Sequence, residues 1–300
     1  MRLPVSSNET LSQYLDFHKV QEYSTDIDPI YPVLKYIIEK TNTKLEESLW
    51  LTFLYVAYYN IGSALLAFEK YPTPEVPMDL LDLPCATERR NHRIKGNLIK
   101  HFKNLVDIYW WYDGYDRWLT YDLELDAKFN WLLTQAKLNK VWGNGRWASY
   151  KTGEVLWKVN GLNLEATDMG HANSSGSRKG LERLFNNLPK GNTEKDIFVL
   201  DKISNDLVLY MQNQGLKVSI ETAETSLCDF NSMLKGKYYS GIDIDHMQED
   251  LLKVPSIYTD LAFEAREKLI PNEYLGELNG WVGVRKEKKK EYVIQQQSKS

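Results

Sequence analysis

Leu45, Leu49, Phe53, Val56, Ala57, Asn60 and Ala64 recur at spacings of three and four. At that period side chains share one face of an α-helix. Thr43 precedes the run and Glu46 follows three residues later, the arrangement of a capping box. The prolines of Tyr71–Pro77, YPTPEVP, forbid continuation. One long helix is therefore expected between Thr43 and Tyr71. Tyr55, Tyr58, Tyr59 and Asn60 bring polar groups beside its apolar stripe. Such groups need partners when buried, so one turn of this helix is expected to face a polar cavity.

The same period recurs elsewhere. It appears in VLKYIIEKT after two prolines, and in Leu98, Phe102, Leu105, Val106 and Tyr109. Residues 124–141 carry it through Phe129, Leu132, Leu133, Ala136 and Val141, and residues 195–215 through Ile197, Leu200, Ile203 and Leu207. Residues 257–270 read as helix up to Pro271. The one strand candidate is Lys217–Glu221, KVSIE, so the chain is expected to be mainly α with at most a few short strands. Among 300 residues, 43% hydrophobic and 26% charged is ordinary globular composition. Nineteen Tyr and nine Trp are read mostly as core, against a competing reading as a pocket that stacks planar ligands. The expected organisation is an N-terminal extension over 1–43 and a main domain over 44–284, with a charged tail over 285–300. NNLPKGNTE, near 186–194, is a candidate break between two lobes.

A net charge of −4 gives no general support to nucleic-acid binding, which would require a local basic patch. TERRNHRIK, Thr87–Lys95, is such a patch. On a helix, Arg89 and Arg93 would share one side and could clamp an anion; a solvated helix start is the competing reading. The N-terminus is not a secretory signal, no apolar run reaches membrane-spanning length, and there are only two cysteines. A reduced cytoplasmic compartment without membrane association is expected.

The most informative stretch is Trp142–Phe185. Gly143-Asn144-Gly145 permits positive φ and leaves room above the backbone. Amides at the start of the following helix can then face a phosphate, with Arg146 adding charge. A helix precedes this turn and there is no third glycine, so it is not a dinucleotide fingerprint; without GK[ST] it is not a P-loop. Asp168 follows Gly145 by 23 residues, and His171 comes three residues later. Asp168 is a candidate proton acceptor or a helix N-cap. Ser174-Ser175-Gly176-Ser177 then opens a helix carrying Arg178 and Lys179, a second anion candidate. Asp243, Asp245, His246 and Glu249 form an acidic group that reads as a solvated loop, with Mg²⁺ as a candidate ligand.

Helix, G-x-G, helix with Ala148 three residues after Gly145, then Asp168, resembles the helix-hairpin-helix DNA glycosylases. GRWASYKTGEVL, TDMGHANSSGSRKGLERLF and ETSLCDF…GKYY resemble more narrowly the phage enzymes of thymine hypermodification. These are the α-glutamyl/putrescinyl thymine pyrophosphorylases, or amino acid:DNA transferases. The resemblance covers roughly residues 44–245.

It implies a glycosylase-like helical bundle, acting in the phage-infected bacterial cytoplasm on double-stranded DNA with a modified pyrimidine. An amino acid or polyamine would displace pyrophosphate from the methylene of pyrophosphorylated 5-hydroxymethyluracil. Asp168 or His171 would take the amine proton. Gly143, Gly145, Arg146, Arg89, Arg93, Arg178 and Lys179 would hold phosphates. Tyr58, Tyr59 and Trp147 would hold the flipped base, and Glu224, Cys228 and Asp229 the amine. No cofactor is implied beyond the candidate Mg²⁺. Removal of a base by a glycosylase, and DNA binding without catalysis, stay as alternatives.

Overall fold

Every regular element among the described residues, 6–172 and 174–271 of the computed structural model, is helical. In chain order these are α1 (Asn8–Ser24), α2 (Ile30–Thr41), α3 (Leu45–Tyr58), α4 (Ile61–Lys70), α5 (Lys95–Tyr112), α6 (Tyr115–Thr120) and α7 (Ala127–Leu138). They continue with α8 (Arg146–Lys158), α9 (Gly176–Leu184), α10 (Glu194–Asn213), α11 (Ile220–Met233), α12 (Ile242–Lys253) and α13 (Thr259–Leu269). Short 3-10 turns over Met78–Leu80 and Thr87–Arg93 lie between α4 and α5. No described helix is long and apolar enough to cross a membrane.

The mainly α expectation holds, with four local corrections. The long pattern after Thr43 is two helices. Tyr59 takes a left-handed conformation at φ 47°, and the Asn60 side chain accepts from the Ser63 amide at 2.9 Å, capping α4. Asparagine favours this position because its oxygen takes up an orphan amide of the first turn. The expected cap also moves: Glu47, not Glu46, accepts from the Lys44 amide at the start of α3. In addition, KVSIE is no strand. Ser219 is the extended N-cap residue of α11, its amide donating to Thr222 Oγ1 at 2.9 Å. The acidic group after Ile242 likewise lies on α12, not on a loop. The charged-tail expectation for 285–300 lies outside the described residues.

The chain divides into two units: the described parts of 1–28, 166–244 and 270–300, and residues 29–165 with 245–269. In the second of these α3 is central. Every residue from Ser48 to Tyr58 is buried, as expected of a helix surrounded by neighbours. Trp50 stacks on Tyr115 at 6.1 Å and meets Phe102 edge-on at 6.0 Å, while its indole donates to the Tyr71 carbonyl. Glu46 accepts from the amides of Tyr115 and Asp116, at 2.6 and 3.0 Å, and so caps α6 from a distance.

In the other unit α11 is the axis. Tyr14 and His18 of α1 both reach the Ser226 hydroxyl, at 2.8 and 3.0 Å. Gly176 and Gly180, one turn apart on α9, press against Cys228 and Leu227 of α11. A Cβ at Gly180 would overlap the Leu227 carbonyl oxygen, and one at Gly176 the Cys228 sulfur. The buried Asp26 carboxylate accepts from the amides of Gly241, Asp243 and Ile244, capping α12 much as Glu46 caps α6. Burial, and then Asp243, raise the pKa of Asp26 against the pull of the Tyr238 hydroxyl and these amides.

The close approach of α9 and α11 leaves no room for a methyl group at position 180. Gly180→Ala is expected to destabilise the fold by about 1–3 kcal/mol, the usual cost of overpacking. An unchanged denaturation midpoint would show that the two helices separate freely.

Candidate functional site

The glycine turn joins α7 to α8 and is a helix–turn–helix hairpin within one unit. Asn144 closes it locally, its amide donating to the Val141 carbonyl and its side chain to that of Leu138. The two glycines differ in kind. Gly143 has φ +84°, and a Cβ there would sit 3.2 Å from His92 Nε2 and 3.4 Å from His101 Nδ1. The fold itself therefore requires glycine at 143. Gly145 is extended, with φ −100°, and a Cβ there would meet nothing within 4 Å. It is the N-cap residue of α8 and supplies no side-chain cap. Space is thus open beside the positive end of α8.

Two neutral histidines support the turn from beneath. His92 Nδ1–H donates to the Ala57 carbonyl at 2.7 Å, which leaves Nε2 to accept from Arg89 Nη2 at 2.7 Å. His101 Nδ1–H donates to the Trp142 carbonyl at 2.6 Å, and the two rings lie 4.3 Å apart. Burial, and then Arg89, push His92 down to about 3; burial also holds His101 well below the ordinary imidazole value, with His92 and Arg89 adding to it. Arg89 is only 5% exposed, and no carboxylate faces it among the described residues. Burial lowers its pKa only to about 10, so it stays a cation at neutral pH.

This placement corrects the expected Arg89–Arg93 clamp. The segment is a 3-10 turn in which Arg89 leaves helical geometry at φ −95°, ψ 43°. Arg89 turns inward beneath the hairpin, while the exposed Arg93 donates to the Cys85 carbonyl at 3.2 and 3.1 Å. Tyr58 is corrected as well. It is fully buried, packs on Phe102 and donates to the Leu80 carbonyl, so it belongs to the core and not to a pocket wall. Tyr59 and Trp147 do come together, edge to face at 4.7 Å and half-buried. Arg146 lies over the Tyr150 ring at 4.6 Å. Farther along α8, Lys151 is buried in an ion pair with Glu154 at 2.7 Å, and Tyr31 donates to the same carboxylate.

The second half of the informative stretch lies in the other unit. Asp168 accepts from the Gly170 amide at 2.6 Å and the Thr167 hydroxyl at 2.9 Å, so it does serve a local turn. It also faces Asp201 of α10. Burial, and then Asp168, push Asp201 up to about 6, and its buried Oδ1 has no hydrogen-bond partner. One turn along α10, Ser204 donates to the Leu200 carbonyl and accepts from His171 Nε2–H at 2.7 Å. His171 is therefore the Nε2–H tautomer, with its basic lone pair on Nδ1.

Ser174 donates to Glu224 at 2.9 Å and meets the Ser177 hydroxyl at 2.9 Å. This joins the serine turn to α11, where Cys228 packs against Gly176. The small residues of that turn serve helix packing as well as any ligand. The Arg178 guanidinium is committed to the Pro189 and Gly191 carbonyls and the Asn192 side chain, whereas Lys179 is exposed. Asp229 turns elsewhere, accepting from Gln21 of α1 at 3.0 Å. Among the described residues no group of three or more His, Cys, Asp or Glu is arranged to hold a metal ion.

Sequence reasoning missed Asp201, Ser204 and the His92–His101 pair. Asp201 and Ser204 sit three residues apart beside the apolar stripe of α10, an ordinary pattern for a helix flank. Only the fold brings them to Asp168 and His171.

In comparison with known protein families, the family model described as amino acid:DNA transferase fits residues 22–239. No curated protein matches the chain.

The Asp168–Asp201 pair has a signature in stability. Asp201 binds its proton more tightly in the folded state than at the ordinary value of 3.8, so stability is lost as pH rises from about 4 to about 6 and stays at the lower level above that. Asp201→Asn is expected to raise the melting temperature at pH 8 and to leave it unchanged near pH 4. An equal shift at both pH values would show that Asp201 carries no such burden.

Proposed function

The chain belongs to the amino acid:DNA transferase family, and from that premise we propose a specific reaction. The substrate is double-stranded DNA in which 5-hydroxymethyluracil is pyrophosphorylated on its hydroxyl. A primary amine, from an amino acid or a polyamine, attacks the base methylene. The C–N bond forms as the C–O bond breaks, pyrophosphate leaves with the electron pair, and the amine surrenders a proton. The observation that carries this reading is the extent of the family match, which takes in both the α7–α8 hairpin and the Asp168–Lys179 stretch.

The roles follow from local chemistry. Backbone amides at the start of α8, beside the open Gly145, seat a DNA phosphate, with Arg146 on the rim and Arg89 as a fixed cation behind the histidines. Tyr59 and Trp147 present aromatic faces to a base taken out of the stack. Asp168 is the proton acceptor and His171 its rival. An amine must be neutral to attack, and a carboxylate is suited to take up the proton it gives up. Lys179 offers charge to the leaving pyrophosphate. Glu224, next to Ser174, is the candidate contact for the amine substrate.

The decisive assay supplies DNA containing 5-pyrophosphoryloxymethyluracil and a pool of amines, and reads the nucleosides by mass spectrometry. An aminated nucleoside is expected. An abasic site would mean a glycosylase, and binding without product a DNA-binding module. Asp168→Asn is expected to reduce turnover by about 10²–10⁴-fold, the usual contribution of general base catalysis, while DNA affinity stays intact. Full turnover in that variant would remove Asp168 from the mechanism.

A further inference from the structure

Three tryptophans break the pattern set by the aromatic core. Trp50, Trp118 and Trp131 are buried, whereas Trp110, Trp111 and Trp142 are 72%, 84% and 41% exposed. Exposed aromatic surface of this kind marks interaction sites. Helical period places Lys100, Asn104, Asp107 and Trp111 along one face of α5, with Lys103 and Trp110 on its flank. Trp142 is fastened to the same face. Its amide donates to Asn104 Oδ1 at 2.7 Å, and Lys100 Nζ lies 5.7 Å from its ring. Since Trp142 immediately precedes Gly143, this face is continuous with the hairpin. From Lys100 to Trp111 it runs about 16 Å at the ordinary helical rise.

The charge on this surface identifies its occupant. Residues 87–104 carry five exposed Arg and Lys, the buried Arg89 aside, against Glu88 alone, in a chain whose net charge is −4. Lys95 is paired with Asp82, but Lys100 and Lys103 are exposed and have no carboxylate partner among the described residues. Asp107 is the one acid on the face and separates the lysine half from the tryptophan half. We infer that the outer face of α5 is a second DNA-contact surface, its lysines on backbone phosphates and its terminal tryptophans on unstacked bases. This rests on the DNA-modifying reading above. Lysines supply sequence-independent affinity that depends on salt, and indole rings stack on any base lacking a paired neighbour.

The full-length chain, titrated with a fluorescent duplex containing one unpaired nucleotide at several salt concentrations, tests this. Lys100→Ala/Lys103→Ala is expected to lower the slope of log affinity against log salt by about 2, one for each phosphate that a lysine no longer neutralises. Trp111→Ala is expected to weaken binding about tenfold without changing the slope. Arg146→Glu at the hairpin serves as the comparator. If Arg146→Glu weakens binding while both α5 variants match the unsubstituted protein, the α5 surface is overturned and the DNA reading stands. If the unsubstituted protein itself does not bind the duplex, the DNA reading fails. A tryptophan variant that alters only self-association, measured by sedimentation, would overturn the proposal in favour of a protein interface.

Discussion

Arg89 sets the terms for the region around the hairpin. A buried guanidinium without a carboxylate is costly, and here it is met only by dipoles. Its Nε reaches the Ala57 carbonyl at 3.4 Å, at the C-terminal end of α3 where helix carbonyls lack partners. His92 donates to the same carbonyl and accepts from Arg89, which fixes its tautomer. His101 stacks beside it and holds the Trp142 carbonyl. Gly143 rests on both rings. The cation, the neutral histidine pair and the left-handed glycine thus form one column, from the end of the central helix to the turn that opens α8. A phosphate seated on that turn would supply the negative charge that this part of the chain lacks.

Helix N-termini among the described residues are treated in several ways. Those of α6 and α12 are capped by carboxylates brought from far along the chain, Glu46 and Asp26. These remote caps complement the dipole and leave no demand for an outside anion. At α8 the N-cap is an open glycine with no side-chain partner. The start of α9 is different again. Its Gly176 is consumed by contact with α11, and Arg178 braces the 189–192 segment. Glycine-rich, basic helix starts therefore read alike in sequence while one serves packing and another leaves space for a ligand.

That ambiguity marks the limit of what the sequence makes legible. Apolar periodicity fixes the helical class, because each stripe is local and repeats over several turns. It does not show that Tyr59 and Asn60 divide the longest stripe, since a left-handed residue followed by a cap leaves the spacing almost intact. The strand reading of KVSIE fails because five alternating residues also describe the extended entry to a capped helix. Asp168 and His171 stand out through their neighbourhood in sequence. Asp201 and Ser204 do not, because their significance lies in a contact across more than thirty residues. Arg89 is conspicuous for its charge, but its direction depends on a departure from helical φ/ψ that composition does not reveal.

The central claim is that the amides opening α8, left accessible by Gly145, receive a DNA phosphate. Among the described residues nothing lies within 4 Å of a Cβ at that position, so Gly145→Val separates fold from function. Measuring duplex affinity and melting temperature on the same variant is the most direct test. The expected result is a loss of affinity of about tenfold or more, in line with removal of a charge-assisted contact, with an unchanged melting temperature. Unchanged affinity in a normally folded Gly145→Val protein would contradict the claim.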